Sequence, residues 1–325
     1  MRHICTYFDK NFLPRGLALL DSLKENTKEF TYYVLALDSE TVEYFEKLND
    51  THVAVIRLDE YIEFFNIDRS QYKTEKEFYF SVTPGLCRYV LAHYKEIDIL
   101  LYLDADVYVF NDLEILYSEM GNASIALCSH RLPWYIKMMS KNYGIYNVGV
   151  NAFRNDEEGN RCLEEWFKDC TTWKEGQEDY PLSFFSDQIW LDTWLQKYKN
   201  LRIIEHIGVN TATWNAINYK FRKKDDRYYV NDKPLIIYHF SSLKKLSPNR
   251  WHGNTSFTII NIRGILLEIY QTYLLNVDTY EQDDSKHSIS LEFEGSKLKF
   301  FIYKMLKYIH NHEINTKGTG DGSHT

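Results

Sequence analysis

Short apolar runs alternate with helically spaced apolar residues along most of this chain. His3 to Phe8 has the character of a strand, followed by a polar loop, Asp9-Lys10-Asn11-Phe12. Pro14 then falls at the first helical position of a segment in which Leu17, Leu20 and Leu23 recur at helical spacing. Tyr32 to Leu37 and Val53 to Leu58 read as the next strands. Pro84 is expected to open a second helix, PGLCRYVLAHY, leading into a strand from Ile99 to Leu103. Further strands are predicted at Ser124 to Leu127, Asn147 to Phe153, Arg202 to Glu205 and Leu235 to Phe240, with helices at Asn160 to Cys170 and Asp187 to Tyr198. Strands that are apolar throughout and alternate with helices predict an α/β fold on a mainly parallel sheet. No repeat is visible. Beyond about Thr255 the pattern becomes helical, aromatic and Lys-bearing around an acidic patch at 281–284, and the last segment, KGTGDGSHT, has no core-forming residues.

Composition narrows the function. A chain of 325 residues with 44% hydrophobic and 16% aromatic content can bury a large core. Its net charge of −8 argues against a general nucleic-acid binder, and an anionic substrate needs a local device such as a metal. The 26 tyrosines either line sugar and base sites or simply fill core and surface. Five cysteines, odd in number and without CxxC spacing, suit reduced thiols in a cytoplasm. Polar residues arrive at once in MRHICTYFD, so no signal peptide is expected. The most apolar long segment, from Phe257, contains Arg263 and Glu268 and is not read as a membrane span. The expected location is the cytoplasm, at most on the inner face of the membrane.

The candidate chemistry lies in LLYLDADVYVFND, residues 100–112. An apolar strand ends there in Asp104 and Asp106, where parallel α/β sheets bind ligands. With 22 aspartates, chance alone gives about 1.5 such D-x-D pairs, so the pair needs its context. Two carboxylates at a strand end repel each other unless a cation lies between them. Mn²⁺ or Mg²⁺ held this way can carry the phosphates of a nucleotide, whereas the bland reading is a pair of turn or cap residues.

Six segments in order give that context. ICTYFDKNFLPRGLALLDSL, PGLCRYVLAHY, LLYLDADVYVFNDL, YNVGVNAFRN with FSDQIWLDTWL, and IIYHFSSLKKLSPNRW together resemble the GT-A nucleotide-diphospho-sugar glycosyltransferases. The likeness is to the group of bacterial lipopolysaccharide galactosyl- and glucosyltransferases and glycogenin (a family 8 type), and it spans about residues 3–252. It implies a GT-A catalytic domain over 1–254, and the change of pattern beyond it is read as a helical extension over 255–315 and a disordered tail over 316–325. It also implies that Tyr7 and Asp9 meet the nucleotide base, that Arg88 faces the donor phosphates or sugar, and that Asn147, Gly149 and Asn151 line the donor sugar. Asp187 and Gln188 would lie beside the reacting carbon. Asp106 and His239 would bind the metal, with Asp104 on the metal or the ribose, and Lys245 or its neighbour Lys244 would grip the diphosphate. His239-Phe-Ser-Ser242 replaces the usual His-x-x-Gly. Asn210, Trp214 and Asn215, in an Asn-x-Ala-x-Trp-Asn signature, are read as acceptor contacts or as residues that fold a loop.

The implied function is transfer of a sugar from a nucleotide-diphosphate donor, with UDP the expected nucleotide, to a saccharide or lipid-linked acceptor. Retention of configuration and a place in bacterial surface polysaccharide or lipopolysaccharide synthesis are expected with it. Alternatives are a sugar-nucleotide-forming nucleotidyltransferase, for which the early Gly-rich basic loop is missing, a phosphatase, and a non-catalytic carbohydrate binder. In LKFFIYKMLKYIH, Leu298, Phe301, Ile302, Met305, Leu306 and Ile309 recur at helical spacing among lysines. That helix either lies in an anionic membrane interface or packs on the catalytic domain or a second subunit.

Overall fold

The computed structural model describes residues 1–134, 144–172, 187–247, 250–253, 260, 262–281 and the backbone of 290–293. Its centre is a seven-stranded sheet formed by β1 (Arg2–Phe8), β2 (Phe30–Ala36), β3 (Val53–Arg57), β4 (Ile99–Leu103), β6 (Ile125–Ser129), β7 (Tyr146–Arg154) and β8 (Leu201–Ile204). The strand order is β3-β2-β1-β4-β7-β6-β8. All pairings are parallel except those of β7, which runs antiparallel to β4 and β6. This is the mainly parallel α/β sheet that the pattern predicts, and the reversal has a consequence. The amino-terminal half of β7 lies at the carboxyl ends of its neighbours, where the ligand crevice of such a sheet forms.

Alternation along the strands feeds two cores. Ile4, Tyr32, Val34, Leu101 and Leu103 pack on one face with Leu17, Leu20 and Leu23 of the helix Leu13–Asn26. Each of those three leucines is at most 2% exposed, and burial of this kind stabilises by about 1.5–3 kcal/mol per side chain. On the other face Cys5, Tyr33, Leu35, Leu100 and Tyr102 meet Phe78, Val82, Leu86 and Val90 of the helix Glu75–His93 and Trp166 of the helix Glu157–Thr172.

Two elements differ from expectation. Pro84 does not open its helix but sits inside it, nine residues after the start at Glu75. The start is set by Thr74, whose hydroxyl accepts the Glu77 N–H at 3.2 Å. Pro84 withholds one N–H from the preceding turn, and the buried Phe78, Val82 and Leu86 hold the helix together across it. The expected Asp187–Tyr198 helix is a 3₁₀ turn, Ile189–Thr193, running into one α-turn, Trp194–Lys197. Helices Ser39–Leu48, Leu58–Phe65 and Glu114–Met120 complete the flanks.

A small sheet beside the large one builds the site. β5 (Val107–Val109) pairs antiparallel with β13 (Ile237–His239), which pairs parallel with β9 (Thr211–Ala212). The hairpin β10 (Phe221–Lys224), β11 (Arg227–Val230) and β12 (Lys233–Pro234) covers one side. β14 (Leu243–Ser247) and β15 (Arg250–Gly253) follow, with β16 (Ser290–Phe293) parallel to β15.

The apolar segment after residue 255 forms the helix Ile265–Tyr280. Its Leu266, Ile269, Tyr270, Tyr273 and Val277 share a core with Tyr238, Phe240 and Trp251. Among the described residues no helix is long and apolar enough to cross a membrane. The Lys-rich segment with Leu298 to Ile309 and the tail 316–325 lie outside the described residues.

Candidate active site

Three backbone hydrogen bonds bring the two ends of the D-x-D segment against the distant histidine. Val107 N–H returns to the Asp104 carbonyl at 3.2 Å, making a turn of Asp104, Ala105 and Asp106. β13 then pairs with β5 so that His239 lies opposite Val107. The Phe240 N–H donates to the Asp106 carbonyl at 2.8 Å, and Asp104 N–H donates to the Gly149 carbonyl at 3.0 Å. In the result His239 Nε2 is 3.0 Å from Asp106 Oδ1 and 3.6 Å from Asp104 Oδ2. One ligand atom from each of the three residues lies within 4.8 Å of the others.

These groups suit a divalent metal. Two carboxylates and an imidazole form a hard, mixed oxygen–nitrogen donor set of the kind that takes Mn²⁺ or Mg²⁺. The space between them is kept by Gly149: a Cβ there would lie 2.5 Å from His239 Cε1 and 2.8 Å from Asp104 Oδ2. Tyr102, buried in the sheet, donates its hydroxyl to Asp104 Oδ1 at 2.8 Å and so leaves Oδ2 toward the histidine. The charges are tightly linked. Burial raises the Asp104 carboxyl above the usual range and outweighs the opposing pull of His239. Burial works on Asp106 too, but the charge and hydrogen bond of His239 bring it below that range. His239 in turn rises above its ordinary value because the carboxylates outweigh its own burial.

The strand β7 supplies the next layer. Asn147 Oδ1 accepts from Gly149 N at 3.1 Å and from Asn210 Nδ2 at 3.1 Å. Its Nδ2 donates to Gln188 Oε1 at 2.9 Å, and Val148 N donates to the same oxygen at 3.0 Å. Asn151 donates to the Val148 carbonyl at 2.6 Å. Asp187 accepts from Gln188 N through Oδ1 at 2.9 Å, while its carbonyl accepts from Trp166 Nε1 at 2.8 Å. The structure therefore brings Asp104, Asp106, Asn147, Gly149, Gln188 and His239 into one linked network. Asn210 and Asn215 are fully buried. Asn215 holds the segment by accepting from Ala212 N and donating to the carbonyls of His130 and Asn210. Trp214 stands edge-on to His239, centroids 5.1 Å apart, and to His130 at 5.5 Å.

The remaining residues lie further out. Tyr7 donates to the Tyr79 carbonyl at 3.2 Å, and its ring packs against Tyr102 at 6.3 Å. Asp9 accepts from the N–H groups of Asn11 and Phe12, turning the loop before the first helix. Arg88 lies over the rings of Phe65 and Phe167 and 3.9 Å from Glu164. Lys245 pairs with Glu281 and lies 5.9 Å from the Trp251 ring centroid. Lys244 stands opposite His252, out of phase with Lys245 along β14.

Sequence reasoning missed Tyr102, His130 and Arg15. Tyr102 shares a strand face with Asp104, two residues on, and His130 follows the carboxyl end of β6, so both positions carried a signal. Arg15, whose Nη2 donates to the Leu243 carbonyl at 2.6 Å, carried none.

A mainly parallel sheet with Asp104, Asp106 and His239 gathered at its strand ends matches the GT-A fold of glycosyltransferases. The chain belongs to glycosyl transferase family 8, whose family description matches residues 3–249. It is 26% identical over 276 residues to the uncharacterized protein YfnD of Bacillus subtilis (strain 168), covering 85% of this chain and 88% of YfnD. Mouse xyloside xylosyltransferase 1 shares the fold at a TM-score of 0.50 with 14% identity, over 74% of this chain and 98% of its own. The glycosyltransferase GlyE of Streptococcus pneumoniae TIGR4 aligns at a TM-score of 0.47 and 14% identity over 86% of this chain, which spans 62% of GlyE.

Proposed function

We propose that this glycosyltransferase uses a divalent metal to move a sugar from a nucleotide-diphosphate donor, UDP-linked, to a saccharide or lipid-linked acceptor. The observation that carries the reading is the convergence of Asp104, Asp106 and His239 on one space that only a glycine at 149 leaves open. A bound Mn²⁺ or Mg²⁺ would be held by these three residues and would supply positive charge to the departing diphosphate.

The chain's own residues do the rest. Lys245 adds a cation at the diphosphate, displacing its pairing with Glu281. Tyr7, near the end of β1, and Asp9, on the loop that follows it, take the base. Asn147, Gly149 and Asn151 shape the donor-sugar wall, with Gln188 holding that wall through Asn147 and Val148. Asp187 places a carboxylate near the same wall, where developing positive charge on the sugar ring is stabilised, as carboxylates do in glycosidases. Trp214, supported by the buried Asn210 and Asn215, offers a ring to the acceptor. We assign catalysis to residues 1–254, with retention of configuration, in bacterial surface polysaccharide or lipopolysaccharide synthesis at the cytoplasmic side.

The test is release of nucleoside diphosphate from a panel of sugar nucleotides, with and without Mn²⁺. Metal-dependent release from one donor supports the reading. Equal release in EDTA, or none from any donor with a suitable acceptor mixture, overturns it.

A further inference from the structure

Two cations share one buried ring beside the metal site. Trp251 is 1% exposed, and its ring centroid lies 5.9 Å from Lys245 Nζ and 5.8 Å from the guanidinium carbon of Arg15. Lys245 already has a carboxylate partner in Glu281. Arg15 has none within ion-pair distance among the described residues, and the one protein hydrogen bond of its side chain there is to the Leu243 carbonyl, 2.6 Å from Nη2. A guanidinium carries five N–H donors, so most of its capacity is unused in a protein of net charge −8.

Its position joins two segments. The guanidinium carbon lies 4.4 Å from the Phe12 ring centroid, at the end of the loop that begins with Asp9. Leu243 closes the turn that follows His239: its N–H donates to the Phe240 carbonyl at 3.3 Å, and Phe240 N–H donates to the Asp106 carbonyl at 2.8 Å. On the function proposed above, the base lies at the Tyr7–Asp9 loop and the departing oxygen at the metal site. The phosphates between them must then cross the span that Arg15 bridges. A fork-shaped guanidinium, pinned at one nitrogen and stacked on an aromatic ring, is a pre-organised partner for phosphate oxygens.

We propose that Arg15 binds the diphosphate of the donor, as a fixed cation delivered by the first helix and sharing the Trp251 ring with Lys245. This rests on the nucleotide-sugar reading.

The test is calorimetric titration of the full chain, loaded with Mn²⁺, with UDP, GDP, ADP, CDP and dTDP, and of the preferred nucleotide's nucleoside. Arg15→Gln is expected to weaken the diphosphate roughly tenfold to a hundredfold and to leave the nucleoside within about twofold. Arg15→Lys, which keeps the charge and loses the fork, is expected to fall between. Undiminished diphosphate binding by Arg15→Gln overturns the proposal while leaving the function standing. Equal losses for diphosphate and nucleoside also overturn it, because Arg15 would then only tie the two segments together. If the wild type binds none of the five, the nucleotide reading itself falls and this proposal with it. Should Arg15→Gln fail to fold, Arg15→Lys decides by the same comparison: a loss selective for the diphosphate supports the proposal, and equal or no loss overturns it.

Discussion

Gly149 approaches His239 so closely that a methyl group on its Cα would lie 2.5 Å from the imidazole Cε1 and 2.7 Å from Nδ1. Asp104 Oδ2 would be 2.8 Å from the same methyl, and with His239 fixed by β13 pairing and Asp104 by its bond from Tyr102, neither can yield cheaply. Gly149→Ala is expected to fold, since β7 tolerates a side chain elsewhere along its length, but to displace His239 from Asp106. We expect Mn²⁺-dependent transfer to fall by at least about a hundredfold, as for loss of a metal ligand or its orientation. Activity within threefold of wild type, or a melting temperature lowered so far that the protein is unfolded, would count against this account.

Tyr102 gives a milder test of the same site. Its hydroxyl is the described partner of Asp104 Oδ1, and Tyr102→Phe removes that bond without changing the ring's packing. Mn²⁺ affinity is expected to drop about tenfold, the usual effect of removing a partner that orients a ligand. Stability should change by no more than about 1 kcal/mol. Metal titration followed by calorimetry separates the two, and unchanged Mn²⁺ affinity would show that Asp104 needs no such support.

How much of this was legible follows the reach of each residue's information. The apolar run Ile99–Leu103 ending in two carboxylates states both its strand and its site, because period and chain end are local properties. The helix start at Thr74 was equally local: Thr74 and Glu77 carry the capping signal, and Pro84 drew attention from it. Arg88 shows the opposite case. It lies five residues after Thr83, which touches the Tyr7 hydroxyl at 3.3 Å. Five residues turn a helix by about 140° from that face. Its guanidinium accordingly rests on Phe65, Phe167 and Glu164. The bonds from Gln188 to Asn147, from Arg15 to Leu243 and from Lys245 to Glu281 join positions 36 to 228 residues apart, and no pattern along the chain encodes them.

Burial of His130 predicts a pH dependence of stability. The ring is 6% exposed, and burial, the largest cause, lowers its pKa to about 4. An unfolded histidine titrates near 6.5, so between these values the unfolded chain holds a proton that the native chain lacks. Stability from this group is present above about 6.5 and is lost as pH falls toward 4, by about 3 kcal/mol in all. Denaturant unfolding in EDTA at pH 7.5 and pH 5 should show His130→Asn losing less over that interval than the wild type. Parallel losses in both proteins would mean that His130 is not the group responsible.

Gln188 is the residue whose two possible roles differ most sharply. Its side-chain oxygen accepts from Asn147 Nδ2 at 2.9 Å and from Val148 N at 3.0 Å, in a site only 3% exposed. Removing that oxygen takes a partner from the buried Asn147 amide, which keeps His130 Nε2 at 3.4 Å, and from the half-buried Val148 N–H, and a buried donor left unpaired costs about 1–3 kcal/mol. Gln188→Ala is therefore expected to lose roughly 2–4 kcal/mol of stability and to lower kcat, because the wall formed by Asn147 and Gly149 loses its support. Gln188→Glu keeps an acceptor at the same place. It should hold its melting temperature within about 3 °C of wild type while changing the charge beside the sugar wall. If Gln188→Glu also keeps wild-type kcat, Gln188 acts only as a brace. If its kcat falls with the fold intact and donor KM unchanged, the polarity of position 188 enters the chemical step itself. A Gln188→Ala enzyme as stable as wild type would contradict the hydrogen bonds on which both readings stand.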